Sequence, residues 1–450
     1  MIRRFLKCAG VFAAALSICA ALLVSVCALI PHSAIEPAMR EAEAYFSSRD
    51  GFPVLWEHSL GTRADNYADI ALFDVIHHVD SQNPVRSVIA APYYRNEGRD
   101  IREDFHDAVV DKLPPNSEYS RYWHGSQVLL RPLLLFTSIQ GCRLILFALL
   151  LGLNAWLAVL LVRRRALRPL LIYVSGLLAV HFWMGAFTLE YIMTFLVMTA
   201  SCIAVTLARD RCRDQLRLER RMTVICIVSG VAVCFMDFLT AETLSFTVPA
   251  LLWFMLCKEN GERFSLRRVL GLLVRWGAAW LCAYAAAFAV KWALVYLVLG
   301  KDAFLNALTS AAYRVNREVE VVGAPQEMTV RSSSALLRML AHNIGCLFPV
   351  SSGLKSVFVL TAAGTALAAA GAALYLFRGK ETDGAFVAGA LLIGLVPYVR
   401  FSALSSHSLD HYFFTYRAQM AAVMAVLAVL AYSLKPSEVL GKKKRRKRRS

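Results

Sequence analysis

Acidic charge is scarce in this chain. Its 450 residues carry 32 Asp and Glu against 49 Lys and Arg, and charged residues of both signs make up only 18% of the whole. With 58% hydrophobic residues and a mean hydropathy of +0.51, the composition falls outside the soluble range and matches polytopic membrane proteins. The familiar nucleotide signatures are missing as well. There is no Walker A sequence, no GxGxxG opening a helix after a strand, no GxSxG and no kinase set, which argues against cytosolic ATP chemistry within the chain. Cysteine is absent from residues 32–138, and the 11 cysteines lie almost wholly in apolar segments without a CxxC pair. Neither a disulfide framework nor a thiolate metal site is expected.

What is present is a succession of apolar runs separated by basic turns. The formal charge of +17 does not imply a nucleic-acid partner, because KKKRRKRR at residues 442–449 supplies +8 of it and most other basic residues sit between apolar runs. That tail is expected to meet anionic lipid. A spanning helix needs roughly 20 mostly apolar residues, and about ten runs meet that need. Arg3, Arg4 and Lys7 precede the run 11–30, which is too long for the core of a cleaved signal peptide and reads as an anchor with its N-terminus in the cytoplasm. Further spans are expected at 141–162, 169–187, 189–207, 222–239, 243–257, 270–299, 356–377, 385–399 and 419–434. The turns then assigned to the cytoplasm, 163–168, 209–221, 258–268, 378–383 and the tail, are the richest in Arg and Lys.

The predicted organisation is all-α, with about ten transmembrane helices. Residues 1–31 form the anchor, 32–138 a long extracytoplasmic loop, 139–434 the multi-span domain with an outer loop at 300–354, and 435–450 a polybasic cytoplasmic tail. Within the first loop, Ile35, Met39, Ala42 and Phe46 recur at helical spacing after Pro31 and predict a helix lying on the membrane surface. Asp65 is an N-cap candidate for a second helix, 65–79, and Ile101, Phe105, Val109 and Leu113 mark a third.

Polar residues on the outer side supply the candidate site. Asp65 and Asp69 stand four apart, so on a helix they share one face, where paired acids suit general-base work or a divalent cation; a solvated helix face is the plain alternative. In YSRYWHGSQVLLRP, residues 119–132, an interfacial aromatic belt accounts for Tyr122 and Trp123 beside His124. Arg131, among leucines, calls for an anionic partner such as a lipid phosphate. Asp237 follows an apolar stretch and is read as functional by its depth, with a turn cap through Thr240 as the alternative. Lys291 lies roughly 13 Å below the outer end of its span, where it either snorkels, neutralises a phosphate or pairs with Asp237. His407 and His411 are four apart, a spacing that can hold a metal if helical, although a turn holding a lipid headgroup or sugar fits as well; Arg417 opens the last span.

A cytoplasmic N-terminus, one span, a long outer loop with acids on an amphipathic helix, then many spans with outer basic residues: this architecture resembles the GT-C-type polytopic membrane glycosyltransferases over the whole chain. In that family the acids are often adjacent, whereas here they are four apart. The resemblance implies transfer of a sugar from a polyprenyl-phosphate carrier to an extracytoplasmic acceptor. It implies Asp69 or Asp65 as the base, and Lys291, Arg131 and Arg417 as counter-charges to the phosphate. DFLTAETLSFTVPAL and HSLDHYFFTYR also resemble segments of polytopic proteins from Gram-positive bacteria, which favours a bacterial plasma-membrane location. A non-enzymatic transporter or lipid flippase and an envelope-assembly scaffold are the competing readings.

Overall fold

The computed structural model describes residues 2–212, 214–315, 333–348, 356–379 and 382–435. The polybasic run at 442–449, with its expected lipid contact, and parts of the outer loop 300–354 lie outside the described residues.

The regular structure of the described residues is helical apart from one antiparallel pair of two-residue strands, Pro92–Tyr93 against Ser117–Glu118, and two isolated bridges. The first long helix is α1 (Ile2–Leu29). The loop then folds as α2 (His32–Ser47), α3 (Asn66–His77), α4 (Pro84–Ala90), α5 (Ile101–Val109) and α6 (Gln127–Leu134). The bundle follows with α7 (Ile139–Arg163), α8 (Leu167–Ala179), α9 (Leu189–Asp210), α10 (Gln215–Met236), α11 (Leu244–Glu259) and α12 (Leu266–Leu299). Last come α13 (Lys301–Val315), α14 (Ser333–Gly345), α15 (Ser356–Phe377), α16 (Gly384–Ala403), α17 (Ser405–Asp410), α18 (Tyr412–Thr415) and α19 (Met420–Ser433).

Among the described residues, seven helices are long and apolar enough to cross a membrane: Phe5–Leu29, Ile139–Arg163, Leu189–Asp210, Leu266–Leu299, Ser356–Phe377, Gly384–Ala403 and Tyr412–Ser433. The other three expected spans are helices that fall short of that measure. Helix α8 has 13 residues and α11 has 16, while α10 opens with Arg217, Glu219, Arg220 and Arg221. The run expected to continue to residue 187 breaks at His181, whose φ of 50° is left-handed.

Helix α11 is buried on every side from Leu244 to Cys257, the signature of an interior helix. It packs against α9, α16 and α19. Helix α10 meets α12 closely because Gly230 has no side chain: a Cβ there would stand 2.6 Å from the Trp280 carbonyl oxygen. Helix α15 lies at the periphery, with apolar side chains such as Val357, Phe358 and Tyr375 exposed.

Ion pairs gather the basic turns at one end of this bundle. Arg164 meets Asp210 at 2.9 Å, Arg209 meets Glu262 at 2.6 Å, Arg268 meets Glu219 at 2.8 Å, and Lys258 meets Asp383 at 3.0 Å. The first loop caps the opposite end. Ile35, Met39, Ala42 and Phe46 are all buried, as the spacing requires. They face neighbouring loop helices rather than open membrane: the Phe46 ring lies 6.2 Å from Phe73 on α3 and 6.2 Å from Phe105 on α5.

Candidate functional site

Where the first loop meets the bundle there is a cavity of about 250 Å³. That is close to the lower bound of roughly 300 Å³ for small-molecule pockets, the scale of a headgroup or one sugar rather than an oligomer. Its acids are Asp65 and Glu190, its cations Arg121 and Arg314, and its imidazoles His124, His407 and His411; Tyr67, Tyr119, Phe238 and Phe414 complete the wall.

Asp65 reaches this cavity as the N-cap of α3. Its Oδ1 accepts the Ala68 N–H at 2.8 Å, and its own N–H donates to Thr188 Oγ1 at 3.0 Å, tying the start of α3 to the start of α9. Burial pushes the Asp65 carboxyl up to about 7, against the pull of the Ala68 N–H, with Asp69 adding and Arg63 and Arg417 opposing. A carboxyl poised there exchanges protons readily at neutral pH.

Asp69 does not share that cavity. Its carboxylate receives Arg143 Nη2 at 2.6 Å and Nε at 3.1 Å, and the Leu189 N–H at the head of α9 at 3.1 Å. Arg143 spends its remaining donors on Tyr45 and Asn66. The Asp69–Arg143 pair is therefore a buried fastening between α3, α7 and α9.

Four other expected residues also lie in structural contacts. Asp237 accepts from Thr194 Oγ1 at 2.5 Å, from the Thr240 N–H at 2.9 Å and from the Thr240 hydroxyl, which is the turn cap. Lys291 is not paired with Asp237: its ammonium donates to the Val88 and Ile89 carbonyls, both at 2.8 Å, at the C-terminal turn of α4. Arg131 meets no anion among the described residues either; it donates to the Ile76 carbonyl at 2.7 Å and to that of Ile30. Arg417 lies over the Tyr191 ring at 3.8 Å and donates to the Phe413 carbonyl at 3.0 Å. Backbone carbonyls supply the counter-dipoles that sequence reasoning sought in phosphate.

His124 and His411 do line the cavity, and the latter stacks on Phe414 with centroids 5.1 Å apart. His124 Nε2 lies 2.9 Å from the Tyr119 carbonyl, and His407 Nε2 lies 3.0 Å from that of Leu239, so each ring donates through Nε2. Each Nδ1 is left as an acceptor, buried with no hydrogen-bond partner among the described residues. Burial holds the His124 imidazole down to about 3 and that of His407 well below its ordinary value, so both rings are neutral at physiological pH. His124 adopts a left-handed φ of 55°, and the next residue, Gly125, donates its N–H to the Phe235 carbonyl at 2.8 Å.

Sequence reasoning overlooked Glu190, Arg314 and Arg143. Glu190 Oε2 is buried with no hydrogen-bond partner among the described residues. The guanidiniums of Arg121 and Arg314 rest on tyrosine rings, 4.2 Å from the Tyr119 centroid and 5.5 Å from that of Tyr122, and the Nε of each is likewise buried without a partner among the described residues. An acid or arginine a few residues into an apolar run flags Glu190 and Arg143. Nothing comparable marks Arg314. Among the described residues, no three His, Cys, Asp or Glu side chains gather in a metal-ligating arrangement. No protein-family model, curated protein or solved structure matches the chain.

Proposed function

We propose that this protein is a GT-C-like glycosyltransferase of a bacterial plasma membrane, moving a sugar from a polyprenyl-phosphate carrier to a hydroxyl acceptor on the outer side. One observation carries the reading. A single cavity joins a buried acid poised near neutrality, Asp65, to the guanidiniums of Arg121 and Arg314, at the end of the bundle opposite the basic turns.

In this reading ionised Asp65 takes the proton of the acceptor hydroxyl as its oxygen bonds to the anomeric carbon. The bond from that carbon to the carrier phosphate breaks, and its electron pair leaves on the phosphate oxygen. Arg121 and Arg314 offset the charge gathering there, in a setting where fixed donors act strongly because little water competes. The Nδ1 atoms of neutral His124 and His407 accept hydrogen bonds from sugar hydroxyls. Asp69, fastened to Arg143, is a positioning residue that holds the α3 N-terminus against the cavity. The accompanying topology is about ten spans, with α8, α10 and α11 crossing beside the seven longer helices, both termini in the cytoplasm and the tail on anionic lipid.

Consumption of a polyprenyl-phosphate sugar by membranes containing wild type, Asp65→Asn or Asp69→Asn tests the reading. Loss of turnover in Asp65→Asn with the protein still folded is the expected result, and unchanged turnover removes Asp65 from the chemistry. Flux of intact lipid through liposomes without chemical change would make the protein a flippase or transporter. A cellular phenotype indifferent to Asp65→Asn, with the protein folded, would make it a scaffold.

A further inference from the structure

A second concavity, of about 1070 Å³, lies beside the first, between α4, the short strand pair and α13. The two share a wall. Ser120 lines the larger groove and the next residue, Arg121, lines the smaller cavity; Ser310 lines the groove and Arg314, one turn further along α13, lines the cavity. Across the same wall Tyr93 of the groove meets Tyr119 of the cavity with ring centroids 5.5 Å apart.

Their chemistry differs. The groove is lined mainly by amide, hydroxyl and charged groups: Asn306 on α13, Asn83, whose amide donates to Asp80 at 2.7 Å, and Asn116, whose amide oxygen accepts the Arg95 N–H at 2.8 Å. Its charges are Asp80, Glu97 and Glu118 against Arg86, with His78 held by Asp74 at 2.7 Å. Such a lining offers donors and acceptors in mixed array, which suits a chain of hydroxyl groups. Its surplus of acids repels phosphates and uronic acids, the ligands that Arg121 and Arg314 next door would attract. The groove is also several times larger than one sugar requires, whereas the cavity is not.

We propose that this groove binds an uncharged oligosaccharide, which serves as the acceptor for the sugar held in the adjoining cavity. The acceptor role rests on the transferase reading; the binding itself does not. Lys291 gives the groove a firm floor by holding the α4 carbonyls of Val88 and Ile89, next to Ser87 and Ala90 of the lining.

The full chain in lipid nanodiscs is titrated with cellotetraose, maltotetraose and chitotetraose, with the acidic tetrasaccharide of hyaluronan, and separately with polyprenyl phosphate. Asn306→Trp fills the groove, Asn306→Ala removes only its amide, and Arg314→Gln alters only the cavity. At least one neutral tetrasaccharide is expected to bind, with affinity falling about tenfold in Asn306→Trp and several-fold in Asn306→Ala while polyprenyl phosphate binding is retained. Absence of binding by all three neutral sugars, indifference to both Asn306 variants, or equal binding of the hyaluronan fragment would overturn the proposal. Polyprenyl phosphate binding that ignores Arg314→Gln would instead remove the transferase reading and leave the oligosaccharide site standing.

Discussion

Asp65 and Asp69 show how one residue of helical phase separates chemistry from structure. Four positions apart, they read as one face, and that holds only when both are inside the helix. Asp65 is instead the N-cap, with φ −118° and ψ 79°, and its side chain folds back on the Ala68 N–H. Asp69 alone follows the helical face inward to Arg143. The two asparagine variants should therefore diverge. Asp69→Asn leaves Arg143 buried without its charge partner and should cost about 3–5 kcal/mol, seen as a lower melting temperature in detergent. Asp65→Asn should melt no lower than wild type at pH 8 yet lose about 10²- to 10⁴-fold in transfer rate. The pH dependence follows in sign. The folded carboxyl titrates near 7 against an ordinary 3.8, so the folded state holds a proton that the unfolded state has released between those values. Its stability contribution is fully present below about 3.8 and is lost as pH rises towards 7, while the ionised base, and with it the rate, grows across the same upper range. A rate profile that falls from pH 6 to pH 8, measured at saturating donor, would contradict the assignment. Residue types were legible in the sequence here, but their directions were not, because a capping side chain turns through dihedrals that spacing does not encode.

At the scale of elements, periodicity and capping located the three loop helices to within a few residues, since each has an apolar stripe and two have an Asp at the N-cap. Short elements escaped. Helix α4 has 7 residues and α6 has 8, too few turns for a repeat to declare itself; α4 supplies the carbonyls that Lys291 of α12 meets, and α6 carries Arg131. Both cations looked like phosphate ligands in the sequence because their acceptors are backbone carbonyls, which every sequence contains and none advertises. Lys291→Met should strip the Val88 and Ile89 carbonyls of their donor and destabilise the protein by about 1–3 kcal/mol per unpaired group, visible in thermal unfolding, without weakening polyprenyl phosphate binding. Were the lysine a phosphate ligand, binding would fall first and stability little. Gly125 makes a second element-level test. A Cβ there would come 2.1 Å from the Phe235 ring, a contact with no room to relax between two backbones already joined by a hydrogen bond. Gly125→Ala should displace His124 and lower transfer activity well before it unfolds the bundle, as measured by activity at a temperature where the variant's helicity is unchanged.

At the scale of the molecule, the sequence's basic turns proved the most legible feature, and the physics explains why. Each turn carries arginines, and the few acids in those turns bind basic side chains across helix ends, so local composition and tertiary contact agree. The span count was less legible. Interior helices such as α11 are shielded by protein, so their length is not set by contact with lipid alone. Orientation can be tested without any knowledge of substrate. Glu97 is exposed beside the groove, and Arg165 is exposed in the turn between α7 and α8 at the opposite end. In a background with Cys8, Cys212 and Cys282 replaced by serine, Glu97→Cys should react with a membrane-impermeant maleimide on intact cells, and Arg165→Cys only after permeabilisation. The reverse pattern would place the cavity and groove in the cytoplasm. There a polyprenyl-phosphate sugar would be on the wrong side of the membrane for an outer acceptor, so the transferase reading would fall together with the topology, whereas the expected pattern leaves both sites facing the side where such an acceptor is found.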